Sequence, residues 1–289
     1  MIEPRPSISG GARLAGVIGW PISHSRSPRL HGYWLARYNL DAAYVPMEVH
    51  PDDLADALAV LPKLGFRGVN VTVPHKESAM ALVDRVDDTA RRIGAVNTIV
   101  IDAAGRRLGL NTDAFGFMAN LRDQAPLWRP DGGPAVVVGA GGAARAVVVG
   151  LLDAGAEVRI INRTRTRADA LARDLGTPHI TVHDWEDRNA ALRGAALVVN
   201  TTTLGMAGQP ALDLDLAPLP GTAVVADIVY TPLWTPLLKA ARARHLATVD
   251  GLGMLIHQAR PGFAAWFGRE PEVDKAVRDY LVRDLEDGG

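Results

Sequence analysis

Short runs of consecutive apolar, mostly β-branched residues alternate along this chain with stretches whose apolar positions recur every three to four residues. The first pattern suits strands buried on both faces, and the second suits helices lying against them. Their alternation predicts βα units around a mostly parallel sheet, an α/β fold. In the first half the strand-like runs are 16–19, 43–49 and 68–73, and the helical stretches are 28–37, 52–61 and 75–83. Segments 96–101 and 108–110 read as a strand pair, and 114–121 as a helix. A second series follows, with strands at 135–138, 158–161, 197–200 and 224–227 and helices at 142–153, 166–175 and 236–244. The tail, 251–267 and 272–285, reads as two more helices. Residues 123–133, rich in Pro, Asp and Gly, are the linker candidate.

Composition narrows the class. A length of 289 residues suits two domains at roughly 100–200 residues each. Hydrophobic residues at 48% and charged residues at 22% are ordinary for a globular protein, and a net charge of −1 argues against a broad nucleic-acid or anionic-membrane footprint. With no cysteine there is no disulfide, thiolate nucleophile or cysteine-ligated metal. The eight histidines show no metal-binding spacing, so no metal is expected; His24, His31, His75 and His257 read as supporting or surface residues. No apolar run approaches the roughly 18 residues of a membrane span. Met1-Ile2-Glu3-Pro4-Arg5-Pro6 lacks the cationic and apolar pattern of a leader, so a cytoplasmic location is expected.

The strongest local motif follows the apolar run 135–138: Gly139-Ala140-Gly141-Gly142-Ala143-Ala144 fits G-x-G-x-x-A between a strand and a helix. Glycines there permit a tight turn and let a pyrophosphate approach the backbone at a helix N-terminus. About 20 residues past such a turn, an NAD site places an acid for the ribose 2′-hydroxyl. This chain instead has Asn162-Arg163-Thr164-Arg165-Thr166-Arg167. Guanidinium groups suit a 2′-phosphate, and the alternative is a solvated basic turn. Arg163 and Arg167 are four apart and face one anion if the helix has begun, leaving Arg165 to point elsewhere.

Other polar residues gather where strands are expected to end. In Gly68-Val69-Asn70-Val71-Thr72-Val73-Pro74-His75-Lys76, Pro74 suits a first helical position and Lys76 a first turn. A lysine there is disfavoured by the helix dipole, which suits a general acid/base; the other reading is a lysine reaching into solvent. Asp113 reads as a helix N-cap, a role compatible with catalysis. Ser25 and Ser27 precede Pro28; Ser27 reads as an N-cap, and the loop can present both hydroxyls to a polyhydroxylated ligand. Gly251 and Gln258, seven apart, share a helix face; either a flat ring approaches there or the glycine serves helix packing.

Together these segments resemble the shikimate dehydrogenase family over nearly the whole chain. The resemblance rests on Gly19-Trp20-Pro21-Ile22-Ser23-His24-Ser25-Arg26-Ser27-Pro28, Asn70-Val71-Thr72-Val73-Pro74-His75-Lys76-Glu77, Gly94-Ala95-Val96-Asn97-Thr98 and Asn111-Thr112-Asp113. The second half adds residues 139–144, Asn162-Arg163-Thr164 and Asp250-Gly251-Leu252-Gly253-Met254-Leu255. It implies two domains: a substrate-binding and catalytic α/β domain over 1–112, completed by helices within 251–289, and a Rossmann-type NADP-binding domain over 113–250. The active site would then be a cleft between the domains. It implies that Lys76 and Asp113 form the catalytic pair and that Ser25, Ser27, Thr72, Asn97, Tyr230 and Gln258 bind the substrate. Gly139, Ala140, Gly141, Gly142 and Ala143 would hold the pyrophosphate, and Asn162, Arg163, Thr164 and Arg167 the adenosine phosphate. Ile228 and Gly251 would flank the nicotinamide, and Asp88 is a weaker match on the cofactor side. The implied activity is an oxidoreductase on a CH–OH group, the reversible NADPH-dependent reduction of 3-dehydroshikimate to shikimate. That step belongs to the shikimate pathway of chorismate and aromatic amino acid biosynthesis. A monomer or homodimer with small-molecule partners is implied. The sequence departs from the family at His75, where Phe is frequent, and at Ile228, where some members have Met. Alternatives are a quinate/shikimate dehydrogenase of broader substrate or NAD use, and a non-catalytic NADP-binding sensor. The arginines weigh against NAD, and a sensor is expected to lack Lys76 or Asp113.

Overall fold

The computed structural model describes residues 8–287, so the opening stretch Met1 to Pro6 lies outside the described residues. The early apolar runs become strands Arg13–Gly19 (β1), Ala42–Glu48 (β2) and Phe66–Val71 (β3), with helices Ser27–Arg37 (α1) and Leu54–Val60 (α2) between them. A two-residue strand Arg85–Val86 (β4), the helix Asp88–Ile93 (α3) and the antiparallel pair Thr98–Ile101 (β5) and Arg107–Leu110 (β6) follow. The sheet order is β2-β1-β3-β5-β6-β4, with β1, β2 and β3 parallel and β5 running against β3. This first sheet is therefore mixed: three of its five pairings are parallel, β4 lying parallel to β6, and the expected pair at 96–101 and 108–110 supplies the antiparallel part.

One expected helix is absent. Residues 75–83 do not form an α-helix; a turn leads into a short 3₁₀ segment, Ser78–Leu82. The Lys76 carbonyl, which an α-helix would offer to residue 80, instead accepts from the Val96 N–H at 2.8 Å. The Met80 N–H turns to the Glu77 carbonyl at 3.2 Å, an i→i+3 bond. Lys76 thus sits in a turn, and a five-residue 3₁₀ segment supplies little dipole.

The second series consists of helix Asp113–Gln124 (α4), strand Ala135–Val138 (β7), helix Gly142–Asp153 (α5), strand Val158–Ile161 (β8), helix Arg165–Leu175 (α6) and strand Ile180–His183 (β9). Strands Leu197–Asn200 (β10) and Val224–Asp227 (β11), helix Pro236–Ala243 (α7) and strand Ala247–Val249 (β12) complete it. All pairings are parallel, in the order β12-β11-β10-β7-β8-β9. This is the doubly wound order of a Rossmann-type sheet, with its topological switch between β7 and β10. α4 buries Phe117, Met118 and Leu121 in the same apolar cluster as Val147, Val148 and Leu151 of α5. The proline-rich segment 123–133 is consequently a connector inside this unit, not the linker expected.

The tail forms helices Gly251–Phe267 (α8) and Lys275–Asp287 (α9). α9 starts later than expected because Asp274 takes the N–H of Val277 at 3.1 Å and also pairs with Arg37 at 2.7 Å. The described chain divides into two compact units. The first holds residues up to Thr112 together with Gln258–Leu281, and the second holds Asp113–His257 together with residues from Val282 onward. The division within α8 falls at Gln258, where a boundary at 251 was expected. Its first turns are tied to the second unit: Asn120 Nδ2 donates to the Asp250 carbonyl at 2.7 Å, and His257 Nε2 meets Asp123 Oδ2 at 2.8 Å.

The later turns of α8 bring Phe263, Trp266 and Phe267 into the first unit's core, beside Trp34 of α1 and Tyr44 of β2. His31 stacks on Tyr44 with ring centroids 3.9 Å apart, and burial lowers its pKa to about 3, so it packs as a neutral ring. Trp266 Nε1 donates to the Ile99 carbonyl at 3.0 Å, directly over Gly68. A Cβ on Gly68 would fall 2.0 Å from that carbonyl oxygen and 2.2 Å from the indole nitrogen, at a backbone φ of +149°. Gly68→Ala should therefore cost about 3 kcal/mol or more, through overpacking and the broken indole bond. Urea unfolding checks this: an unchanged midpoint would mean that α8 does not close the first unit through Trp266.

Candidate active site

In the first unit the polar candidates collect at the carboxyl ends of β1 and β3 and ahead of β5. Thr72 follows β3, and its N–H donates to the Ile18 carbonyl at 2.9 Å. Its methyl group lies where a Cβ on Gly19 would be, 2.6 Å away, so β1 must end in glycine for Thr72 to stand there. Ser25 and Ser27 lie just beyond, in the loop entering α1, where the Ser27 N–H donates to Ser25 Oγ at 3.3 Å. Ser27 is the first residue of α1 rather than its cap, a role that falls to Arg26 without a side-chain bond.

Asn97 is buried and clamps Thr112: its Oδ1 accepts from the Thr112 N–H at 2.9 Å and its Nδ2 meets Thr112 Oγ1 at 3.0 Å. The neighbouring Val96 N–H holds the Lys76 carbonyl, so Asn97 and the half-buried Lys76 are anchored side by side. His75 is buried, its Nε2 bonded to the Val49 carbonyl at 2.8 Å, which fixes the turn from its other side. Asp113 follows Thr112 directly and begins α4, buried, in the second unit. Gln258 lies half-buried on α8. Asp88 starts α3 in this first unit, exposed and paired with Arg91 at 2.6 Å, whereas the other cofactor candidates belong to the second unit.

In the second unit β7 ends in Gly139, at φ +121°, where a Cβ would lie 2.5 Å from Thr201 Oγ1. Gly141 and Gly142 are exposed, with nothing within 4 Å of an added Cβ, and α5 begins there without a side-chain cap. The N–H groups of its first turn, with Ala140 and Ala143 half-buried on either side, are thus open to an anion. Asn162 Nδ2 donates to the Thr164 carbonyl at 2.8 Å, shaping the turn after β8. Arg165 is held by Asp169 at 3.0 Å and Asp184 at 2.8 Å. Arg163 and Arg167 are exposed and make no ion pair among the described residues. The helix begins only at Arg165, so the helical four-residue spacing assumed for Arg163 and Arg167 does not apply; Arg163 belongs to the turn and Arg167 to the first turn of α6. Ile228 and Gly251 do meet, with a Cβ on Gly251 falling 2.2 Å from the Ile228 carbonyl oxygen. Tyr230 is half-buried in the loop after β11.

Two buried polar groups escaped the sequence reading. Asn70, mid-strand in β3, accepts from the Tyr44 hydroxyl at 2.6 Å and donates to Thr98 Oγ1 at 3.0 Å. Burial raises the Tyr44 phenol well above its ordinary value, against the pull of the Ser27 side chain. Asp227 ends β11 beside Asn200 of β10, and burial raises its carboxyl to about 6. In both cases the signal was a polar residue set inside or at the end of an otherwise apolar run.

Known proteins show the same segments in the same order. Residues 17–99 match the family model described as shikimate dehydrogenase substrate binding domain, residues 130–206 that of shikimate / quinate 5-dehydrogenase, and residues 251–277 that of shikimate 5′-dehydrogenase C-terminal domain. Shikimate dehydrogenase (NADP(+)) of Paramagnetospirillum magneticum is 60% identical over 276 residues, spanning 95% of this chain and 100% of that protein. The structure of shikimate 5-dehydrogenase from Thermus thermophilus, in complex with NADP(H) and shikimate, is 38% identical with a TM-score of 0.83, covering 94% of this chain and 99% of that one. Quinate dehydrogenase from Corynebacterium glutamicum, in complex with NAD, is 34% identical with a TM-score of 0.87 over 94% of this chain and 99% of its own. The match runs through the serine loop, the Lys76 turn, the glycine loop and α8 alike, and on that evidence the chain belongs to the shikimate dehydrogenase family.

Proposed function

We propose that this chain is an NADP-dependent shikimate dehydrogenase, catalysing the reversible reduction of 3-dehydroshikimate to shikimate. The observation that carries the proposal is the pair of exposed guanidiniums, Arg163 and Arg167, free of ion pairs among the described residues and placed beside a glycine loop whose helix N-terminus is open. Family membership and full-length similarity to NADP-dependent shikimate dehydrogenases support the same reading.

NADPH, when bound, supplies the hydride. The backbone of residues 139–143 holds its pyrophosphate, Asn162, Arg163, Thr164 and Arg167 hold its 2′-phosphate, and Ile228 and Gly251 border its nicotinamide. Ser25 and Ser27 hold the substrate carboxylate, while Thr72, Asn97, Tyr230 and Gln258 bind hydroxyls. Lys76 donates a proton to the oxygen that receives negative charge as the carbonyl is reduced. Asp113 orients the Lys76 ammonium and accepts from the neighbouring substrate hydroxyl. In the reverse direction Lys76 takes the hydroxyl proton back.

The second reading, quinate use with NAD, has the Corynebacterium neighbour in its favour. Initial rates with shikimate and quinate, each with NADP and NAD, decide between them: the proposal expects shikimate with NADP to dominate, and fails if quinate with NAD is faster. Cytoplasmic placement and a monomeric or homodimeric state belong to the same proposal, and equilibrium sedimentation tests the second.

Lys76→Ala should lower kcat by roughly 10²–10⁴-fold while leaving NADPH affinity unchanged. Retention of more than about a tenth of the turnover would make Lys76 a binding residue only. Arg163→Ala/Arg167→Ala should lower kcat/KM for NADP by roughly 10–100-fold, because both groups are exposed and screened, and leave NAD use almost unchanged. Equal losses for the two cofactors would remove the arginines from phosphate recognition.

A further inference from the structure

Asp227 is 2% exposed at the end of β11, and no cation among the described residues pairs with it. Its Oδ1 accepts from the Val229 N–H and from Asn200 Nδ2, both at 3.0 Å, and its Oδ2 accepts from the Thr235 hydroxyl at 2.7 Å. Val229 lies at the start of the loop 228–235 and Thr235 at its end. Thr235 is also the N-cap of α7, its Oγ1 accepting from the Leu238 N–H at 3.3 Å. Asn200 extends the network into the next loop, where its Nδ2 donates to the Leu204 carbonyl and its Oδ1 accepts from Thr202. One carboxylate therefore ties both ends of the 228–235 loop to the carboxyl edge of the sheet.

That loop carries Ile228 and Tyr230, which the proposed function assigns to the nicotinamide and the substrate. We propose that Asp227 is a positioning residue for the reaction, its ionised carboxylate fixing the loop that presents Ile228 and Tyr230. This rests on the reading of those two residues as part of the site. The charge is what calls for a functional account. An asparagine would fill the same space without the cost of burying an uncompensated anion. Ionisation, by contrast, makes all three bonds charge-assisted, which shortens and strengthens them.

The charged and titratable groups around Asp227 are few. The loops 228–235 and 201–206 contain none but Tyr230. On β12 the residue following Val249, which pairs with Ala226, is Asp250, whose carboxylate accepts from the Leu252 N–H at 3.0 Å. On α7 Lys239 is exposed. Burial is the dominant influence on Asp227 and raises its pKa from 3.8 to about 6, against the hydrogen bonds from Thr235, Val229 and Asn200. A protonated Asp227 must place a hydrogen. Oδ1 already faces two donors, so the hydrogen goes on Oδ2 toward Thr235, whose own hydroxyl hydrogen then loses its acceptor. An asparagine in its place would imitate that neutral state, with its amide nitrogen facing Thr235, so the D227N substitution locks the loop in its low-pH form.

The experiment measures kcat/KM for shikimate with NADP from about pH 5 to about pH 9. Wild type, D227N, T235V and T235S are compared, and hydrogen-exchange protection of residues 229–235 is measured without substrate. Wild type should show an acid limb with an apparent pKa near 6, and the protection of the loop should change over the same range. D227N should lack the limb and run about 3–10-fold slower at alkaline pH. T235V, which removes a bond that lowers the Asp227 pKa, should move the limb upward, and T235S should restore it. The folded-state pKa lies above the unfolded one, so wild type loses stability as pH rises from about 4 through about 6. The Tm difference should therefore shift in favour of D227N over that range. A D227N enzyme that keeps the wild-type limb, or loop protection that does not change with pH in the wild type, overturns the proposal. Absence of shikimate turnover with NADP would instead overturn the assignment of function, since the exchange measurement reads the tether without substrate.

Discussion

The side chain of Asn97 clamps the backbone N–H and the hydroxyl of Thr112, and a buried polar network of the first unit is arranged around that clamp. A buried amide has to be satisfied at both ends, so the strands flanking it cannot slip without leaving a costly orphan. The network continues through Thr98 Oγ1 to Asn70, and from Asn70 to the Tyr44 hydroxyl. Three strands are thereby registered by side chains as well as by their ladders. The same clamp sets the point at which the chain leaves the first unit, immediately before Asp113. The adjoining Val96 N–H holds the backbone of Lys76. The backbone of Lys76 and the end of the first unit at Thr112 are thus both held by one short segment, 96–97.

Where the sequence was legible, the determining interactions were local. The run 135–138 and the glycines after it specify strand, turn and helix within a short stretch, and β7 and α5 form with the expected bounds. The helical reading of 75–83 failed because a distant donor, Val96, takes the Lys76 carbonyl; nothing near Lys76 announces it. The edge strands β9 and β12 are short and only partly buried, so Ile180–His183 and Ala247–Val249 lack the unbroken apolar signature of the central strands. Asn200 and Asp227 each end an apolar run in the sequence; only the parallel register sets them opposite each other. Family resemblance reached individual candidates, such as Tyr230, that periodicity alone had no means of selecting.

Charge in the second unit is divided across the switch point. The turn after β8 keeps three arginines, of which the middle one is neutralised by Asp169 and Asp184. The result is two available cations rather than a generally basic surface, in keeping with a net charge of −1 for the chain. On the other side of β7 and β10, β11 ends in the buried carboxylate of Asp227. A dinucleotide laid along this carboxyl edge, as proposed, would have its adenosine phosphate at the cationic end and its uncharged reduced ring near the loop tethered by Asp227. The two ends ask for different things. A phosphate rewards exposed, mobile cations that can close on it, and their loss is tolerated by the fold. A hydride acceptor and donor must be aligned within a few tenths of an ångström, so the loop that borders them is held by groups taken out of solvent. A buried anion lowers stability where an asparagine would not, and the positioning role proposed for Asp227 accounts for a carboxylate at that place.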